Sequence, residues 1–465
     1  MTAEIQEIYA SLQPRFKGDL LRPGHGSYED ARKIWNGMVW RSPRLIARCA
    51  DVADVRNVVR VASRAGILTA VRCGGHSLPG FSTCDGLVID LSKIRNVAVD
   101  SRTRRAWVAG GCLLGSIDTA TQKAGLVFPS GVVSHTGASG LILGGGTGWL
   151  TRRFGLSCDN VLGAEVVTAD GSLVRCNDAE NSDLYWALRG GGGNFGIVTE
   201  FQVRLHPLRS VVLSQALCPE PGIRRLLASW QDFMAEAPLD LKWNIDLRRA
   251  PQAPNIPAGL RGRPVANNSL VWTGDPDAAA AHIQPALSLC DPDSVRTGIV
   301  SFLDLQTMAD SDFPHGRRYY TKSGYFTYLE DQTIDRLIEA VETIPPFATV
   351  ELAYLCGAAA QVGPKETAFG DRSAPFIINL LANWTNASDD AMNISWVRGL
   401  FNKLRPAMKP GVYVNFMSGD EQDRVTEAYG DYWDRIVAVK SKYDPGNFFR
   451  LNQNVPPRKS AAETS

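Results

Sequence analysis

The chain has nine cysteines, and none of them stands in a C-x-x-C pair. An odd count without that spacing argues against a disulfide framework and against a zinc site built from thiolates. No apolar run approaches the ~20 residues that crossing a bilayer requires. The opening residues, Met1-Thr2-Ala3-Glu4-Ile5-Gln6-Glu7-Ile8, hold neither the basic cluster nor the apolar stretch of an export signal. Charge of one sign is also missing. The 49 Lys and Arg against 48 Asp and Glu leave a formal +1, which gives no general pull towards nucleic acid or an anionic membrane. There is no strand–G-x-G-x-x-G–helix unit with an acidic residue about twenty positions on, so a nicotinamide-dependent Rossmann dehydrogenase is a poor reading. Repeats and low-complexity segments are absent as well. The expectation is a cytoplasmic protein, monomer or homodimer, that meets a small molecule and neither nucleic acid nor membrane.

What the chain has in excess is glycine, 43 residues concentrated in the N-terminal half. At 465 residues it is too long for one hydrophobic core, so two domains are expected. Residues 51–65 carry Val52, Val55, Val58 and Val59 at helical spacing, and Gly66 stops them. A β-like segment, residues 67–71, then runs into Val71-Arg72-Cys73-Gly74-Gly75-His76-Ser77, with Gly80 just beyond. Paired glycines let backbone amides turn inward and wrap a diphosphate. A second glycine-dense run spans Ser130 to Leu150 and includes Gly137, Gly140, Gly144, Gly145, Gly146 and Gly148. It suits close backbone approach to a flat or extended ligand.

Strands are expected at residues 87–91 and 105–111, a helix at 114–124, and a hairpin over 164–174 turning at Asp170-Gly171. After residue 206 the glycines thin out. Helices at about 222–235, 275–290 and 332–342 then alternate with strands at about 241–247, 269–273, 324–328, 350–355 and 376–384. The fold class is therefore α+β. A glycine-rich ligand-binding domain takes residues 1–206 and 411–465, and an inserted α+β domain with an antiparallel sheet takes 207–410. Val412-Tyr413-Val414-Asn415-Phe416 reads as the strand that brings the chain back, and a disordered tail is expected from Arg458.

Two further stretches complete the pattern: Ala187-Leu188-Arg189-Gly190-Gly191-Gly192-Gly193-Asn194-Phe195-Gly196-Ile197-Val198-Thr199 and Lys442-Tyr443-Asp444-Pro445-Gly446-Asn447-Phe448-Phe449-Arg450. With the two glycine runs, and in that order, they resemble the berberine-bridge-enzyme-like branch of the vanillyl-alcohol oxidase superfamily. The resemblance covers nearly the whole chain. It implies a PCMH-type FAD-binding domain made of two small α/β subdomains, plus the inserted substrate domain. It also implies FAD bonded covalently through His76 to its C8-methyl. Many members carry a second link from a cysteine in Gly-x-Cys; here that triplet is Gly131-Val132-Val133, so Val133 replaces the cysteine and a single link is expected. Val132 matches a gate position where a small side chain admits dioxygen. Cys73 matches no linking position and reads as a small buried hydrophobe. Backbone of Ile197 and Val198, with Asn194 and Gly196, is expected on the adenine side.

The resemblance further implies an oxidase acting on a C–H next to N or O, such as a heterocyclic amine, an alcohol or a secondary metabolite. Hydride would leave for the flavin, and O2 as acceptor would give H2O2. The alternatives are a dehydrogenase with another acceptor and a flavin-binding protein without turnover. Tyr413 and Asn415 match positions near the flavin ring, whereas Phe416 replaces a residue able to take a proton. Candidate catalytic residues are then Glu351, Tyr354, Asn415 and Trp149, with Asn379 and Asn383 on the following strand. His135, Trp243 and Tyr325 are possible borders of the substrate side. Strand alternation puts Glu351 and Tyr354 on opposite faces, so at most one of them lines the pocket.

Overall fold

The computed structural model describes residues 3–458, and most of the tail expected from Arg458 lies outside the described residues, as do Met1 and Thr2. Among the described residues three larger sheets organise the chain, beside a two-stranded pair of Leu126–Val127 with His206–Pro207. The first has four strands in the order Asp19–Leu21, Leu45–Arg48, Leu87–Asp90, Thr69–Arg72. Its last three are parallel, as a crossover through helix Val52–Arg64 requires. Asp51 caps that helix by accepting from Asp54 N at 3.0 Å, and Val55, Val58, Val59 and Ala62 bury the face that the valine spacing marks. The second sheet is antiparallel, in the order Val97–Asp100, Arg105–Ala109, Ile197–Arg204, Val161–Val167, Leu173–Asn177.

The third is a seven-stranded sheet in the order Ser294–Ser301, Ser210–Cys218, Pro264–Trp272, Leu241–Arg249, Ala348–Tyr354, Phe376–Trp384, Arg318–Phe326. All its pairings are antiparallel. One face is covered by helices Gly222–Glu236, Ala279–Leu287, Asp331–Glu342 and Asp390–Leu404, which share a core with Trp230, Trp243, Ile245, Leu352 and Ile378. The other face looks towards the glycine loops and sets Lys242, Asn244, Asp246, Glu351 and Asn379 among apolar Ala353, Ile377 and Leu381. The chain then returns: Val412, Val414, Met417, Tyr429, Ile436 and Val439 join the core of the five-stranded sheet.

Helix Trp433–Tyr443 locks this return. Lys440 Nζ, fully buried, bonds Asp444 Oδ2 at 2.6 Å, Asn194 O at 2.9 Å and Phe449 O at 3.0 Å. Asp444 also accepts from the backbone of Phe448 and Phe449, both at 2.8 Å. One ion pair thus ties the C-terminal motif to the third glycine run.

Three expectations need correction. Residues 412–416 are not a strand; Val414–Phe416 is a 3-10 turn. The reason is side-chain bonding: Tyr413 Oη accepts from Gly146 N at 2.8 Å, and Asn415 Nδ2 donates to Leu141 O at 3.1 Å, so the segment anchors to a loop. Cys218 and Cys290 form a disulfide across 72 residues, which scattered spacing could not reveal. The pairing is decided by where helix Ala279–Leu287 ends beside strand Ser210–Cys218; the other seven cysteines are free. The third is an omission. Strands Ser210–Cys218 and Ser294–Ser301 carried no reading, the first because it is buried almost throughout and the second because it is a largely exposed, polar edge. No helix among the described residues is long and apolar enough to cross a membrane.

Replacing Asp444 by Ala leaves the Lys440 ammonium buried without its counter-ion. Such a loss costs ~3–5 kcal/mol, and urea unfolding followed by circular dichroism is the check; a change under ~1 kcal/mol would contradict the role given to this pair.

Candidate active site

The first glycine loop begins where strand Thr69–Arg72 ends, its last residue held by the buried pair Arg72 Nη2–Asp90 Oδ2 at 2.7 Å. Gly75 has φ +70°, the region that glycine tolerates without strain. Gly74 lies flat on Gly137, and a Cβ on either would run into the backbone of the other. The two glycine runs therefore touch back to back, and this contact delivers His76 to the cavity wall.

His76 is clamped. Trp35 stacks on its ring with centroids 4.2 Å apart and stacks on Tyr319 at 3.6 Å on its other face. Its Nε2 lies 2.9 Å from His135 Nδ1. Burial drives the His76 pKa well below that of an ordinary histidine, and the neighbouring His135 and His315 push it the same way. The imidazole is neutral near pH 7, the nucleophilic form. His135 and His315 complete a group of three imidazoles.

In the second run, Gly137 starts helix Ala138–Leu143. Gly140 has no atom within 4 Å of where a Cβ would stand and faces the cavity. Gly144, Gly145 and Gly146 depart from the expectation of a ligand-facing surface. They make room for Asn415, Phe369 and Ser157 respectively and do not line the cavity. Arg72, Gly80, Ser130 and Asn194 also stand behind the wall: Gly80 packs on Val39, Ser130 Oγ meets Gln306 at 3.4 Å, and Asn194 bonds Gly191 O and Val455 N. Val71, Cys73, Gly74, Gly75, His76, Ser77, Val132, Val133, Gly137, Gly148, Gly196, Ile197, Val198, Tyr413 and Asn415 line the cavity. So do Trp149, Glu351 and Phe416.

The opposite wall is the polar face of the seven-stranded sheet. Along Leu241–Arg249, Lys242, Asn244, Asp246 and Arg248 point in, while Trp243 joins the helix-side core and donates to Asn268 Oδ1 at 3.0 Å. On the next strand Thr349, Glu351 and Ala353 point in. Tyr354 is a correction: it packs outside the cavity against Trp230 and Phe376, because it is three residues from Glu351. Trp243 and Tyr325 likewise do not border the main cavity; Tyr325 packs with Phe369 and Tyr413 in a separate apolar cluster.

Asn267, Asp246, Glu351, Asn379 and Ser323 are direct partners across five strands. Asn267 Nδ2 reaches Asp246 Oδ2 at 3.4 Å, and Asn379 Nδ2 reaches Glu351 Oε2 at 3.3 Å. Burial, then Glu351, raises the Asp246 pKa to about 7; burial likewise raises that of Glu351. Two adjacent half-buried carboxyls on one cavity wall favour sharing one proton. Burial also lowers the Lys242 pKa to about 7 while its Nζ donates to Tyr354 O at 3.1 Å. Lys242 and Asp246 escaped the sequence reading, although the alternation Lys242-Trp243-Asn244-Ile245-Asp246 already marks a polar strand face.

One continuous cavity of about 1150 Å³ joins the loops to this sheet, more than a single small ligand fills. Among the described residues, four buried polar atoms on it lack protein partners: Ser82 Oγ, Trp149 Nε1, Asn244 Oδ1 and Asn452 Oδ1. Open Gly140, the neutral His76 and these atoms fit a bound dinucleotide with a substrate beside it.

Fold and site together define a flavin-dependent oxidoreductase. Residues 43–177 match the family described as FAD binding domain, and residues 412–456 match the one described as berberine and berberine like. Berberine bridge enzyme-like C-1 of Nicotiana tabacum is 30% identical over 83% of this chain and 80% of its own. The (R)-6-hydroxynicotine oxidase of Paenarthrobacter nicotinovorans is 29% identical over 96% of this chain and 98% of its own. The solved structure of 6-hydroxy-D-nicotine oxidase from Arthrobacter nicotinovorans superposes with a TM-score of 0.85 at 27% identity, covering 95% of this chain and 98% of that one. The chain belongs to the berberine-bridge-enzyme-like family of FAD-linked oxidoreductases.

An acid whose pKa is raised on folding takes up protons on folding between its unfolded and folded values. Stability therefore falls as pH climbs from about 4 to about 7 and stays low above that. Asp246→Asn is expected to raise the melting temperature at pH 8, by an amount equivalent to roughly 1–3 kcal/mol, and to leave it unchanged near pH 4. An equal effect at both pH values would count against a buried acid.

Proposed function

We propose that this protein is an oxidase with FAD attached covalently to His76, and that it oxidises a small organic molecule at a C–H next to N or O. The observation that carries this is the His76 imidazole itself: neutral, half-buried, stacked on Trp35, and placed where the glycine loop opens into the cavity. Its Nε2 faces His135, which leaves Nδ1 for attachment. Val133 offers no thiol, and Cys73 Sγ turns to Cys112 O at 3.3 Å with its pKa raised to about 11 by burial, so a single link is the reading. When bound, FAD supplies an acceptor for the substrate's hydride and a route for two electrons to O2, giving H2O2.

The rest is done by side chains. Glu351, paired with Asp246, serves as the base for the substrate's N–H or O–H proton, since Phe416 cannot take one and Tyr354 faces away. Asn415, fixed by Leu141 O and Tyr413 Oη, and Trp149, with its free Nε1, position the substrate. Val132 on the wall leaves room for dioxygen. The relative named as a hydroxynicotine oxidase supports a heterocyclic amine, alcohol or secondary metabolite as substrate. In this reading residues 1–206 and 411–465 hold the flavin, and 207–410 choose the substrate.

Acid-precipitated protein is expected to stay yellow, and His76→Ala to release the colour; colour freed from the unaltered protein would refute the link. Turnover under air should release one peroxide per substrate. Glu351→Gln should keep the flavin and lower turnover ~10²–10⁴-fold, measured by stopped-flow flavin bleaching under anaerobic conditions; unchanged bleaching would remove Glu351 as base.

A further inference from the structure

Three imidazoles from distant parts of the chain meet beside the first glycine loop, and of the three only His76 lines the cavity. His76 ends the first glycine loop, His135 follows the Gly131-Val132-Val133 triplet, and His315 sits on the turn before strand Arg318–Phe326. One ring nitrogen from each lies within 4.8 Å of the others. Ring centroids are 4.9 Å apart for His76 and His135, and 4.8 Å apart for His135 and His315.

We propose that His76, His135 and His315 form a binding site for one transition-metal dication of the Zn²⁺, Cu²⁺ or Ni²⁺ type. The donor set is all nitrogen, which suits these borderline ions and not Mg²⁺ or Ca²⁺, whose ligands are oxygens. Three protein ligands, with the fourth position left to water or an exchangeable ligand, is the count of a site that is not closed by protein alone.

The three rings are held from behind. Trp35 donates its backbone N–H to Gly75 O at 3.0 Å, beside His76. Its carbonyl accepts from Gly316 N at 2.9 Å, and its Nε1 donates to Phe313 O at 2.8 Å, so it also grips the turn that carries His315. Asp310 holds the third loop by accepting from Ser134 N at 2.8 Å and Ser134 Oγ at 2.5 Å, next to His135. These bonds fix the three loops that carry the rings.

Metal–nitrogen bonds of about 2.0–2.1 Å in a tetrahedral site set the nitrogens ~3.4 Å apart. The metal then replaces the proton shared at 2.9 Å between His76 and His135, and the pair opens slightly. His315 closes the third side; it is exposed, and Gly316 beside it has φ +86°. The site stands on this geometry alone. It also survives the flavin attachment proposed above, because a substituent on Nδ1 leaves Nε2 as the unprotonated nitrogen facing His135.

The test uses the full chain as purified with its flavin, stripped with a chelator and dialysed against Zn²⁺. One equivalent is expected, lost or weakened about tenfold or more by His135→Ala and by His315→Ala, while His25→Ala leaves it unchanged. Cu²⁺ loaded in the same way should give an electron paramagnetic resonance spectrum with hyperfine structure from three nitrogens. Bound metal below one equivalent, or binding indifferent to both His135→Ala and His315→Ala, would overturn the proposal. Retained flavin colour certifies that a variant is folded, and His315→Ala, on an exposed turn, carries the test if His135→Ala is not. Loss of the covalent flavin in this protein would be read separately by acid precipitation and would leave the metal titration standing.

Discussion

The contact on which the site depends is the backbone-to-backbone packing of Gly74 on Gly137. Neither residue can carry a Cβ without striking the other's backbone. Their approach brings two loops from two different sheets within van der Waals distance and opens a cleft that side chains do not fill. His76 and Gly140 face that cleft because the glycines behind them are used up in packing. Most of the glycine wealth therefore serves protein–protein closeness, and only part of it serves a ligand.

The second wall is built on a different principle. A sheet of seven strands presents its apolar face to four helices and leaves its polar face to the cavity. Burying Lys242, Asp246 and Glu351 together costs stability, since each is pushed towards its neutral form. Groups held near neutrality in this way are those that exchange protons easily near pH 7. The core of Trp230, Trp243 and their neighbours, packed on the other face, supplies the compensating burial.

The two walls are joined by a few long-range ties. Trp35 bridges the first glycine loop and the turn before strand Arg318–Phe326, and Asp310 accepts from Ser134 N and Oγ beside the second run. Arg248 pairs with Asp312 at 2.7 Å, fixing the rim of the sheet to the same turn. These ties cross the cavity's edges, so the space between loops and sheet is set by side chains remote from it in sequence.

Much of this was legible without coordinates, for reasons that are local. Glycine runs, valine spacing in helix Val52–Arg64, and strand alternation depend on neighbours a few residues away, so the fold class, the glycine loops and the opposite facing of Glu351 and Tyr354 followed from the sequence, whereas which of those two lines the cavity did not. The side-chain bonds that bend residues 412–416 into a turn, the Cys218–Cys290 bridge, the pairing of Asp246 with Glu351 and the meeting of three histidines did not. Each of these joins residues tens to hundreds of positions apart, and which of them touch is set by sheet register and loop packing that no local periodicity encodes.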